Sequence, residues 1–105
     1  MQINFTGDNI EITDALRQLV EKKFHHIENN YNHKITSASV VLATENLTHA
    51  AEITIFTPGK EIVAHGKADD MYKAIDQMIT KAHRQLMKYK EKLTNHKNHK
   101  EYPCD

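Results

Sequence analysis

The chain opens MQINFTGDN, where Ile3 and Phe5 alternate with polar positions ahead of Gly7-Asp8-Asn9. That pattern predicts a short strand over 3–5 and then a turn. Thr13 stands where a helix N-cap belongs, and Asp14 suits the positive end of a helix. Leu16, Leu19, Val20, Phe24 and Ile27 recur 3, 4, 8 and 11 positions after the first, which gives one apolar face. This helix is expected to fade near Asn29-Asn30.

Three strands follow. ITSASVVLAT (35–44) is rich in β-branched residues, and AAEITIFT (50–57) alternates Ala51, Ile53 and Ile55 with Glu52 and Thr54. EIVAHGKA (61–68) points Ile62, Ala64 and Ala68 inward, with Gly66 marking a bulge or a close approach. Between the last two, Thr57-Pro58-Gly59-Lys60 has the residue preferences of a type II turn, so the pair reads as a hairpin.

Asp69 and Asp70 then begin a long helix. Met71, Ile75, Met78, Ile79, Ala82, Leu86, Tyr89 and Leu93 fall in one stripe on a helical wheel. The order β-α-β-β-β-α predicts an α+β domain: a four-stranded mixed sheet with both helices on one face. The helical crossover makes strands one and two parallel and leaves the other pairs antiparallel. A second helix of about 25 residues would measure about 38 Å, longer than the strands beneath it, so its last turns are expected to overhang.

With 105 residues the chain is one domain. It has no apolar run of membrane-spanning length and no N-terminal pattern of a secretory signal. A single cysteine, Cys104, excludes an internal disulfide framework and suits a reducing cytoplasm. The formal charge is zero, but residues 1–80 hold seven basic against eleven acidic residues, and 81–105 hold seven against three.

That C-terminal excess has a direction. Lys81, Arg84, Lys88 and Lys92 lie within about 80° of one another on the wheel, roughly 120° from the apolar stripe, one cation per turn. Gln77, Gln85 and Asn95 extend the row as neutral donors, and Asp76 and Glu91 fall to its side. A helix shaped only for solubility mixes signs; this one keeps its cations together, at a cost in self-repulsion that a polyanion would offset. On the first helix Lys22 is outward beside His26, while Lys23 must snorkel from the apolar edge. A lysine row suits backbone and shape readout of structured RNA.

The stretches MQINFTGDNIEITDALRQLVEKKF and ADDMYKAIDQMITKAHRQLMKYKEKL resemble the ribosome hibernation-promoting factor family, which includes the ribosome-associated translation inhibitors. The likeness covers residues 1 to about 95, with DMYKAID followed by KAHRQL its most specific part. It implies a fold like that of double-stranded RNA-binding domains, over 1–95, with 96–105 a short flexible tail. It further implies binding to the small ribosomal subunit and its 16S-type ribosomal RNA, in the messenger and transfer RNA channel at the A and P sites. Lys81, Arg84 and Lys88 match the family's basic row and Lys23 its first-helix lysine; Lys22 and Lys92 join by proximity. The short length and basic tail resemble the short hibernation factors, which act beside a ribosome modulation factor to pair inactive ribosomes. Silencing of single ribosomes, or general binding of structured RNA, are the alternatives. A cytoplasmic protein, monomeric off the ribosome and without cofactor, is expected.

Two rival classes, an enzyme and a metal-binding module, find little in the residues. Eight histidines invite a search for catalysis, but no nucleophile elbow, phosphate loop or His-Glu-x-x-His spacing accompanies them. His96, His99 and Cys104 match no strong zinc pattern. His26 and His83 lie near the cations and would strengthen phosphate attraction on acidification. Tyr72 is a candidate for base stacking, whereas Tyr89 falls in the apolar stripe.

Overall fold

The structure, a computed structural model, describes residues 2–94. The expected tail, with His96, His99 and Cys104, lies outside the described residues. The order is β1 (Gln2–Asp8), α1 (Asp14–Tyr31), β2 (Ser37–Glu45), β3 (Thr48–Thr57), β4 (Lys60–Ala68) and α2 (Met71–Thr94). The strands form one sheet in the order β1-β2-β3-β4, parallel between β1 and β2 and antiparallel elsewhere. The α+β architecture is the one the sequence predicts.

α1 starts as its cap residue requires: the Leu16 amide donates to Thr13 Oγ1 at 3.2 Å. Leu16, Val20, Phe24, Ile27 and Tyr31 are buried. The helix runs past Asn30 because Tyr31 continues the apolar spacing. It ends at Asn32, whose φ of 63° and bond from its amide to the Glu28 carbonyl make a left-handed cap. At the start of α2, Asp70 Oδ1 accepts the Tyr72 amide at 3.2 Å.

The alternating strands deliver Ala38, Val40, Leu42, Ala51, Ile53, Ile55, Ile62 and Ala64 to the helix face, against Met71, Ala74, Ile75, Met78, Ala82 and Leu86 of α2. Truncating one of the fully buried large residues, such as Phe24, would cost about 3–5 kcal/mol. Gly66 answers the question its position raised. The β3–β4 register passes through it without a bulge, and a Cβ there would collide with the Ala74 carbonyl oxygen. It is the point where α2 rests on β4.

Three local expectations change. β1 is longer than 3–5, because Gly7 and Asp8 pair with Leu42 and Ala43, and the turn begins at Asn9 with φ 62°. The Pro58-Gly59 turn is not type II, since no glycine has positive φ; Thr57 Oγ1 instead donates to the Lys60 carbonyl at 2.7 Å. Leu93 leaves the apolar stripe at 37% exposure. The last buried residue of α2 is Leu86, so the final turns do overhang.

β4 runs in the same direction as β1, so α1 and α2 leave from the same end of the sheet and lie parallel. At the far end Lys90 Nζ of α2 donates to the Asn30 carbonyl at 2.7 Å. α1 has no basic residue in its own last turn. Lys90 supplies the cation that the carbonyl-rich end of α1 favours.

Candidate nucleic-acid interface

α2 has two flanks set by its neighbours. One faces α1 and carries Asp76 and Lys90. The other faces β4: Gln77 Oε1 accepts the Lys67 amide at 3.0 Å, and Gln85 Nε2 donates to the Val63 carbonyl at 2.8 Å. Lys81, Arg84 and Lys88 follow Gln77 by four, seven and eleven positions, which puts them along this second flank. Lys92 continues the line one turn later. All four are exposed. Among the described residues none of them has a carboxylate within ion-pair distance.

Gln85 therefore does not extend the row as a free donor, because its Nε2 is given to β4, whereas Gln77 is anchored through its Oε1 as an acceptor. The Gln77 oxygen and the Gln85 nitrogen serve the edge of β4, whose outward backbone groups have no strand partner. The effect on the cations is indirect: two bonds hold the α2 flank against the sheet and fix the row's angle.

Lys23 departs from the expectation of a bare cation. Its Nζ lies 3.0 Å from Asp76 Oδ1, with the two side chains 34% and 66% exposed. The helices meet side by side, but this lysine is engaged in the groove between them. Lys22, one position on around α1, is exposed and has no carboxylate partner among the described residues. So the structure brings Lys81, Arg84, Lys88 and Lys92 together on one flank and leaves Lys22 and Lys23 on the other helix.

One cation escaped the sequence reading. A Cβ on Gly59 would lie 2.8 Å from the Tyr89 hydroxyl, so the β3–β4 hairpin reaches the turn of α2 that carries Lys88. Lys60, next in the chain, is exposed and shares the helix-side parity of Ile62 and Ala64. That parity was available from the alternation of β4; the hairpin's contact with α2 was not.

The charge is polarised along the molecule. Asp8 ends β1, Asp14 opens α1, Glu45 ends β2, and Asp69 and Asp70 precede α2, all at the end where both helices begin. Lys60, Lys88 and Lys92 occupy the opposite end. Acids at helix N-termini and cations at C-termini follow both macrodipoles.

The aromatic and histidine candidates divide. Tyr72 is 54% exposed but sits in the first turn of α2 beside Asp69 and Asp70, an unfavourable place for a phosphate chain. Tyr89 is half-buried against the core, as its place in the stripe implies. His26 is exposed with Nε2 3.5 Å from Asn30 Nδ2, and His83 is half-buried.

The surface depressions lie elsewhere. One of about 230 Å³ is lined by Val41, Ala43, Ala50, Glu52, His65 and Lys67, on and beside the open face of the sheet. Among the described residues no three His, Cys, Asp or Glu side chains are grouped to hold a metal, and no helix is long and apolar enough to cross a membrane.

Known proteins share the fold and much of the sequence. A ribosome hibernation promoting factor of Escherichia coli (strain K12) is 47% identical over 96 residues, covering 91% of this chain and all of that protein. A ribosomal subunit interface protein from Coxiella burnetii superimposes with a TM-score of 0.75 at 33% identity, over 86% of this chain and 98% of the other. The N-terminal domain of Thermus thermophilus Protein Y gives 0.79 at 32%, over 85% and 99%. The profile of one family matches residues 3–94, nearly every residue from the first strand to the end of the second helix, and the chain belongs to that family, described as Sigma 54 modulation protein / S30EA ribosomal protein.

Proposed function

We propose that this protein is a ribosome-binding regulator of translation that promotes hibernation. It occupies the messenger and transfer RNA channel of the small subunit, at the A and P sites, and acts by occlusion. The observation that carries this reading is the line Lys81, Arg84, Lys88 and Lys92, exposed and without carboxylate partners among the described residues. Likeness to ribosome hibernation promoting factors supports the ribosome as the polyanion. A catalytic role has no support from the side chains around the row.

The mechanism needs no moving part. Charges spaced one turn apart, about 5.4 Å, meet phosphates of folded 16S-type ribosomal RNA. Lys60 extends the line at the hairpin, and Lys22 adds an exposed cation on α1. The helix pair then fills space that messenger and transfer RNA require. Pairing of the silenced ribosomes is the further step, with a ribosome modulation factor acting alongside.

The variant K81E/R84E/K88E tests the assignment. It removes three exposed cations and no core contact, so the circular dichroism spectrum and Tm should match the parent's. Co-sedimentation with small subunits should be lost. Retention of binding would refute the role given to the row. Sucrose gradients with and without the modulation factor separate pairing from silencing of single ribosomes.

A further inference from the structure

The described ion pairs are of two kinds. His25 with Glu28 joins neighbours on α1, and Lys73 with Asp69 joins the first turn of α2 to the residues just before it, three and four positions apart. Lys23 with Asp76 joins the two helices across 53 positions of chain, at 3.0 Å. It takes up Lys23 in the groove between the helices, on the flank of α2 opposite the row. The pair is also exposed, with Asp76 two-thirds accessible, so it is not a buried strut of the core. Exposed pairs are weak and screened by salt.

We propose that Asp76 is an internal competitor for RNA, its carboxylate standing where a phosphate sits in the bound state. In the free protein the carboxylate neutralises Lys23 and lowers the charge of the groove between the helices. When RNA held by the row on the other flank of α2 reaches across to the groove, many phosphates compete with one carboxylate, and the Lys23 ammonium exchanges partners. Asp76 then weakens binding by the free energy of the pair it must release. This makes affinity a tuned quantity: tight enough to hold an idle ribosome, loose enough to let go. The inference rests on the ribosome reading above.

The geometry specifies a double-mutant cycle. Asp76→Asn keeps the size of the side chain and removes its charge; Lys23→Gln removes the partner. Affinity for purified small subunits is measured for the parent, each single variant and the double variant, from low to moderate salt, with Tm as a check on folding. D76N should bind about two- to fivefold more tightly at low salt, the scale of a released surface pair, and the advantage should narrow as salt rises. In the K23Q background the same change should give no advantage. Asp76→Ala should repeat the pattern if the asparagine amide is not itself responsible. An absent gain, or an equal gain with and without Lys23, overturns the proposal. A failure of the ribosome reading looks different: binding then survives charge reversal of the row, whatever Asp76 does. A parent protein that does not bind small subunits at all would overturn both.

Discussion

Tyr31 shows how one side chain couples the end of a helix to solvent chemistry. It closes the buried face of α1, is almost fully buried, and meets the His33 ring edge-on at 5.3 Å between centroids. Burial pushes its hydroxyl above the ordinary value of 10.0, and the nearby Tyr89 hydroxyl adds to the shift. A raised value in the folded state means that folding holds the proton more tightly than the open chain does. The stabilisation is complete below pH 10 and is lost as pH rises through the folded value. Stability measured by urea melts should therefore fall on the alkaline side, and Tyr31→Phe should flatten that fall while leaving neutral behaviour nearly intact. An unchanged alkaline slope in the variant would mean that the hydroxyl is not the titrating group. At this scale Thr13 and Gly66 could be read directly, because a cap bonds three residues away and a strand glycine invites close packing. Lys23 could not. Its fate depends on an acid 53 positions later, brought to it only when both helices lie on the same sheet face.

Elements were legible where periodicity is long and blurred where a partner decides. The twenty-four residues of α2 and the alternation of β3 follow from sequence alone. The length of β1 does not, since Gly7 and Asp8 become strand only through pairing with Leu42 and Ala43. The glutamines of α2 are the sharper case. Read on a wheel they are polar and outward; in the fold they serve the unpaired edge of β4. The double variant Gln77→Ala/Gln85→Ala should lose roughly 1–3 kcal/mol in chemical denaturation, from two hydrogen bonds of about 1 kcal/mol each. Sedimentation velocity should also show concentration-dependent association through the newly open edge. Parent-like stability and a purely monomeric profile would show that water replaces the amides without penalty.

At the scale of the molecule the neutral total conceals strong organisation. Four exposed cations on one flank, without carboxylate partners among the described residues, imply a log affinity that falls by about 3 to 4 per decade of salt, if each meets one phosphate. A slope near zero for binding to small subunits would exclude the row as the contact surface, even if binding itself persisted. The segregation of charge between chain segments was visible in the sequence; its arrangement in space required the sheet topology. Parallel helices give the protein an electrical heading. On the reading proposed above, an anionic slot would draw in the lysine-bearing tip and repel Asp8, Asp14, Asp69 and Asp70, so that approach would be oriented before contact. The protein would enter one way round, and the carboxylate-rich pole would be what an occupied ribosome displays to the next arrival.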